Sequence, residues 1–293
     1  MLSLIVTTRD VNSKCFARFI NSINKQNQNI LNKIELIIVN QDKENIITQN
    51  IDVNHKIINS DKCSLSKARN IGLENVDVFS EIIGFPDDDC WYNNSVLEAI
   101  ENQFKKESLD FLCCGVYDPI SKKTYGRNRI LNTRVKIDIK NALRLPISVG
   151  IFIKKDALDA KFKFDEKFGV GTKWGSGEES DLILNLLNHN KYGEYYSYDT
   201  VYHEVEDVKN DVNGNNRTYR YAKGIGALTV KSLKRRKQYY FFIIFINLII
   251  RTIITLLIFA FNGTKRYLYI NRLKGLISGF KEGVNYYYKH RDS

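Results

Sequence analysis

"EIIGFPDDDCWYNNS", Glu81 to Ser95, joins a short apolar run to three adjacent aspartates. Ile82 to Phe85 read as a β-strand that stops at Pro86, because proline cannot donate to a strand ladder. Asp87, Asp88 and Asp89 follow at once. Three neighbouring carboxylates repel one another unless something positive sits among them. Immediately after them, "SVLEAIENQF" (Ser95–Phe104) has the apolar spacing of a helix.

Toward the N-terminus the same alternation repeats. "LSLIVTT" (Leu2–Thr8) is a buried strand, and "SKCFARFINSINKQ" (13–26) places Phe16, Phe19, Ile20 and Ile23 on one helical face behind a cap at Asn12 or Ser13. "IELIIVN" (Ile34–Asn40) and "HKIIN" (His55–Asn59) are strands, and "SLSKARNIGLEN" (Ser64–Asn75) is a capped helix. Alternating strands and helices predict an α/β fold with a mostly parallel sheet. In such sheets ligands bind beyond the carboxyl ends of the strands, where the aspartates lie.

The C-terminal side is less regular. "DFLCCGVY" (110–117) and "ISVGIFIKK" (147–155) predict strands, and residues 118–146 show no clear pattern. "FDEKFGVGTKWGSGEESDLILNLL" (164–187) is a glycine-rich loop entering a helix. "YDTVYHEV" (198–205) predicts a last short strand, and 206–218 a polar loop.

Charge is divided unevenly along the 293 residues. Residues 1–230 hold 31 basic and 31 acidic side chains, and residues 231–293 hold 13 and 2, which is the whole net charge of +11. A nucleic-acid binder spreads its basic stripe over a folded face, so no nucleic-acid partner is expected. Here the charge flanks an apolar segment, which suits an anionic membrane surface. "MLSLIVTT" lacks the positive start and the length of a signal peptide. Five cysteines without metal or disulfide spacing fit reduced thiols in a cytosol. Four histidines without paired spacing argue against zinc, and His55, His189 and His290 read as ordinary surface or loop residues.

A hard divalent cation, Mg2+ or Mn2+, answers the repulsion among Asp87, Asp88 and Asp89, since it takes oxygen ligands and shares them with substrate phosphates. The plainer alternative is an acidic turn capping the next helix. A second acidic group, Glu178, Glu179 and Asp181, follows four glycines, and the helix dipole there favours ionised acids. Its alternative is simple helix stabilisation, with Ser176 as cap. Trp174 in that loop is flat enough to stack on a sugar ring.

Five segments in order resemble glycosyltransferase family 2, inverting enzymes of the GT-A fold. They are "SLIVTTRD" (3–10), "LSKARNIGLENV" (65–76), "GFPDDDCWY" (84–92), "GSGEESDL" (175–182) and "VYHEV" (201–205). The resemblance spans about residues 1–205. It implies that Thr7, Thr8 and Arg9 line a nucleotide pocket, that Arg69 holds the base or diphosphate region, and that Asp87 and Asp88 also belong to the donor site, with Asp88 near the ribose. It assigns the metal to Asp89, with His203 near the metal or diphosphate, and the catalytic base to Glu179, with Glu178 and Asp181 as the other acids. Trp174 falls to the acceptor side. Where the family commonly has paired acids after the second strand, this chain has Asn40, Gln41 and Asp42, so Asn40 is left to bond the base. The implied partners are a nucleotide-diphosphate sugar donor and a glycan or lipid-linked saccharide acceptor of bacterial surface-polysaccharide type.

"YYFFIIFINLIIRTIITLLIFAF" (Tyr239–Phe261) is long enough to span a bilayer core of about 30 Å. Asn247, Arg251 and Thr255, four residues apart, make a polar stripe, and both flanks are basic, so the segment is read as dipping into the membrane and returning near Asn262–Gly263, or as packing its stripe on a neighbour. A single span and a buried soluble helix are the alternatives. The chain is thus divided into a catalytic part, 1–230, and a membrane-associating part, 231–293, at the cytoplasmic face of a bacterial membrane; a homo-oligomer is allowed. The competing reading is a catalytically silent nucleotide- or glycan-binding module of the same fold.

Overall fold

The computed structural model of the chain describes residues 1–44, 50–124, 133–159, 161–204, 212–235 and 239–289, with backbone alone at 198, 199, 212–215 and 289. These residues cluster into two compact units. One comprises Met1–Phe164 with His189–Val205, the other Asp165–Asn188 with Glu206–Ser293. This partition by packing differs in kind from the division at residue 230, which marks a change of charge and apolar character.

The first unit is built on a ten-stranded mixed sheet. Its strands are β1 (Leu2–Thr8), β2 (Ile34–Asn40), β3 (Asn54–Asn59), β4 (Ile82–Gly84), β5 (Cys90–Tyr92), β6 (Phe111–Asp118), β7 (Lys123–Thr124), β8 (Arg134–Lys136), β9 (Ile151–Lys154) and β10 (Gly193–His203). The order across the sheet is β3-β2-β1-β4-β9-β6-β10-β5, with β7 on β6 and β8 on β10. From β3 to β4 every pair is parallel, as are β6 and β10; β9 is antiparallel to both β4 and β6, and β5 to β10. β1 and β2 are buried almost throughout, which is why both read as largely apolar runs, with Ser3 and Glu35 the buried polar exceptions inside them. The helices here are α1 (Lys14–Asn24), α2 (Gln28–Leu31), α3 (Leu65–Leu73) and α4 (Val96–Lys106). Ser13 caps α1 by accepting from the Phe16 N–H at 3.1 Å, and Ser64 caps α3 by accepting from Lys67 at 3.3 Å. Gly72 lets α3 lie directly on β1, since a Cβ there would stand 2.2 Å from the Ile5 side chain.

Three sequence expectations change. The last strand begins at Gly193, five residues before the expected Tyr198, because Gly193–Tyr196 continue the parallel ladder on β6 up to a register shift before Thr200. The run 147–155 starts with a 3-10 turn at Ser148–Gly150, and only Ile151–Lys154 are strand. In the expected polar loop, residues 212–218 are helical, while 206–211 lie outside the described residues, as does Val205 of the expected strand.

The second unit is helical, with α5 (Glu178–Asn188), α6 (Val212–Lys234), α7 (Tyr239–Ile258) and α8 (Gly263–Val284). On α8, Gly275, Gly279 and Gly283 recur every fourth residue and face α6. A Cβ at Gly279 would stand 1.9 Å from the Lys223 carbonyl oxygen, and one at Gly275 2.4 Å from that of Tyr219. The two backbones therefore touch, as small residues at this spacing permit. α7 buries Phe241, Phe245 and Thr252, and its Phe245 ring stacks on Phe280 of α8 with centroids 5.3 Å apart.

Candidate functional site

In the first unit the acidic triplet leaves the carboxyl end of β4 beside the end of β1, where Thr7 and Asp87 form a parallel bridge. The antiparallel β5–β10 pairing sets His203 opposite Cys90 and so next to Asp89. His203 Nε2 lies 3.0 Å from Asp89 Oδ1. Ligand atoms of Asp87, Asp89 and His203 all fall within 4.8 Å of one another.

Positive groups meet the repulsion among the aspartates. Arg69, 1% exposed on α3, donates to Asp87 at 2.8 Å. Burial still outweighs that cation, and the Asp87 carboxyl is held above its ordinary range. Burial pushes Asp88 up to about 6, against a hydrogen bond from the Thr8 hydroxyl. Asp89 goes the other way: burial would raise it, but the bond and charge of His203, with a backbone hydrogen bond and the Arg18 cation, together outweigh that burial and hold it low. Burial disfavours the His203 cation, yet Asp89 and the Glu204 carbonyl prevail and raise its pKa.

These contacts favour a cation. His203 Nδ1 is 2.7 Å from the Glu204 carbonyl, so that nitrogen carries the hydrogen. In the neutral ring, Nε2 then turns a lone pair toward the Asp89 carboxylate. Two lone pairs at that distance require a proton or a metal between them, and a histidine held by its second nitrogen is a common metal-ligand arrangement. Two carboxylates and an imidazole fit Mn2+ better than the all-oxygen set Mg2+ prefers.

Of the residues expected at a donor site, Thr8 is buried and bonded to Asp88, and Thr7 is half-buried at the strand end. Arg9 is exposed and donates to the Cys63 carbonyl. Asn40 is engaged mainly by the protein itself. It is buried, its amide donates to the Glu44 carbonyl and to Asn59 Oδ1, each at 3.0 Å, and its oxygen accepts from the Asp42 N–H at 2.9 Å. Its hydrogens hold the loop after β2, which leaves the second lone pair of its oxygen as its remaining bonding capacity. Asp42 accepts from the Val11 N–H at 3.0 Å, which with other backbone bonds keeps its pKa low.

The second acidic group belongs to the helical unit. Gly175 and Gly177 have φ of +69° and +97°, a region favouring glycine, and they flank Ser176, which donates to the Tyr221 carbonyl at 3.1 Å. Ser176 therefore ties the loop to α6. Glu178 and Glu179 open α5, the first buried and the second half-buried. Asp181 requires a correction. Its oxygens lie 2.7 Å from Lys231 Nζ and 2.7 Å from an Arg235 nitrogen, and Lys231 also bridges to Asp165 at 2.8 Å. A carboxylate held at both oxygens is a strut between α5 and α6. Trp174 is the second correction: it is fully buried, packed on Phe168, Tyr286 and Tyr287, so its ring faces protein and a sugar cannot stack on it.

The model of glycosyl transferase family 2 matches residues 3–162, more than half of the sequence and the segment that carries β1 to β9. The chain belongs to this family. No curated protein sequence matches it. Among solved structures, the mannosyltransferase PcManGT from Pyrobaculum calidifontis, in complex with GDP-Man and Mn2+, is similar with a TM-score of 0.63 and 12% identity over 97% of this chain and 86% of that one. S. aureus TarS 1-349 in complex with UDP-GlcNAc gives 0.57 and 13% over 96% and 92%. Against a longer TarS structure the score is 0.55 at 15% identity, and this chain spans 44% of that one. At these identities the likeness shows the fold, an α/β fold of GT-A type, while the family match makes the protein a glycosyltransferase.

One residue of this family 2 enzyme escaped the sequence reading. Arg18 of α1 lies over the Trp91 ring, 3.7 Å from its centroid, donates to the Asp89 carbonyl at 3.1 Å and pairs with Glu204. It clamps the chain segments on both sides of the Asp89–His203 contact. Nothing local marks it, because its partners are 71 and 186 residues away.

Proposed function

We propose that the protein is an inverting glycosyltransferase that moves a sugar from a nucleotide-diphosphate donor to a hydroxyl of a lipid-linked saccharide, in bacterial surface-polysaccharide synthesis. The observation that carries the proposal is the Asp87, Asp89 and His203 cluster at a strand end, in a chain of this family. The sugar-nucleotide complexes of the similar structures support the donor class, and the Mn2+ in one of them supports the metal.

Asp89 and His203, with Asp87, are the groups that would hold Mn2+ or Mg2+. A cation bound there would supply the positive charge that offsets the leaving diphosphate. Asp88 sits beside them on the donor side, with Thr7, Thr8 and Arg9, and Arg69 keeps Asp87 in place. Glu179 takes the proton from the acceptor hydroxyl, work typically amounting to about 10²–10⁴-fold. It is more accessible than Glu178, while Asp181 is committed to its ion pairs. The hydroxyl attacks the anomeric carbon from the face opposite the leaving group, which inverts it. Residues 1–230 carry this chemistry and 231–293 attach the enzyme to the cytoplasmic face of the membrane, where a lipid-linked acceptor is found.

Thermal stabilisation by UDP, GDP and their sugar derivatives, with and without Mn2+, tests the reading. A metal-dependent rise in melting temperature with one nucleotide is expected. Indifference to every nucleotide with and without metal would overturn it.

A further inference from the structure

We propose that α7 lies in the plane of an anionic bilayer, half-embedded along its length, and does not cross it. This rests on the membrane attachment proposed above and specifies its geometry.

At about 100° per residue, the 20 residues of α7 divide into three arcs. Phe241, Phe245 and Thr252 form the buried arc against α6 and α8. Ile243, Ile246, Ile250, Ile253, Ile254 and Leu257 form the opposite arc, and all are exposed. Asn247, Arg251 and Thr255 occupy one flank between the two. The polar stripe does not face α6 or α8, so it is no packing seam.

α8 runs beside α7 over its whole length. Phe280, late in α8, meets Phe242 and Phe245 near the start of α7, and Tyr269, early in α8, stacks on Phe259 just past its end. An α7 that crossed the bilayer would draw α8 in with it. Arg272, Lys274 and Lys281 of α8 would then enter hydrocarbon, where charged side chains are strongly disfavoured. A helix lying flat meets no such penalty. Its apolar arc sinks below the headgroups and its charged flank stays at their level.

Charge and aromatic content fit an anionic lipid surface as the occupant. Arg251 stands on the flank, and Lys265 and Arg266 are exposed at the start of α8. Tyr239, Tyr240 and Tyr267 are exposed as well, and tyrosine favours the headgroup level. At the turn between α7 and α8, Phe261 projects fully into solvent. A second copy of the chain would bring these same cations face to face.

The test uses the full chain with Cys15 and Cys63 changed to serine, since the other three cysteines are buried. Single cysteines at Ile243, Ile250 and Leu257, seven residues apart on one face, carry an environment-sensitive fluorophore. The protein is added to vesicles of phosphatidylcholine with phosphatidylglycerol, and depth is read with quenchers placed along the acyl chain. All three labels are expected at one shallow depth, and Arg251→Glu is expected to lower partitioning roughly tenfold on these vesicles. A label at Ile250 near the midplane, with the other two near the surfaces, would overturn the in-plane geometry and leave membrane attachment standing. Absent quenching, with cross-linking between copies through the same cysteines, would overturn both. Sugar transfer to a water-soluble acceptor reports the catalytic reading independently of either outcome.

Discussion

Asp89 is reached by an imidazole from β10 and, through its own carbonyl, by a guanidinium from α1. These two contacts predict different losses. Asp89→Ala is expected to weaken Mn2+-dependent nucleotide binding by more than about 100-fold with an unchanged circular dichroism spectrum, as calorimetry would show. Arg18→Met, which removes a clamp rather than a proposed ligand, is expected to cost about 10–100-fold. Arg18→Lys should not restore the affinity, because an ammonium cannot both stack on Trp91 and reach two acceptors as a planar fork does. In the other acidic group, Glu179→Gln keeps the shape and removes the basicity. Donor affinity is expected to hold while turnover falls by about 10²–10⁴; near-normal turnover would move the base to Glu178. The position of the aspartates at a strand end was legible because they are adjacent and follow an apolar run. Trp174 was misread for a physical reason. Residue type states what a side chain can do, while its partners decide what it does. The partners of Trp174, Tyr286 and Tyr287, come more than a hundred residues later.

Helices and strands with a strong local period were legible almost to their ends, as α1 and α3 show with their serine caps. β10 was half-legible, because "GEYYSYDT" alternates too weakly to announce a strand and owes its ladder to β6. The antiparallel insertion of β9 could not be read at all, since strand direction is a property of the pairing. The three glycines of α8 are the clearest case of an element shaped by a neighbour. At Gly279 even a methyl group would collide with the Lys223 carbonyl. Gly279→Val is therefore expected to lower stability by about 1–3 kcal/mol, as overpacking does. Gly263→Ala, where a Cβ would meet nothing within 4 Å, should stay within about 0.5 kcal/mol. Thermal denaturation of the two variants in detergent checks the contrast.

At the scale of the whole molecule, attachment should rest on area more than on charge. The full chain is expected in the membrane fraction, and 1 M salt should not release it, since salt screens charge within a few ångströms but leaves apolar burial intact. Recovery in a salt wash would overturn this. A cut near Ser232 has a further cost. It removes α8 from α6 and bares Ala222, Gly226 and Val230, so the shortened chain is expected to lose the cooperative unfolding of its helical unit.

The chain visits its two packing units alternately: it leaves the first at Asp165, returns with β10 at His189, and leaves again after Val205. Any single crossover between genes that falls from Asp165 to Val205 therefore severs at least one unit. A chimera that inherits the C-terminal helices from a relative must also inherit residues compatible with Asp165 and Asp181, or Lys231 loses its partners. The acids proposed to activate the acceptor are thus bound to the helices proposed to meet the lipid. A graft of 165–188 together with 206–293, which leaves β10 and its His203 with the first unit, should therefore retain function more often than one starting at 231.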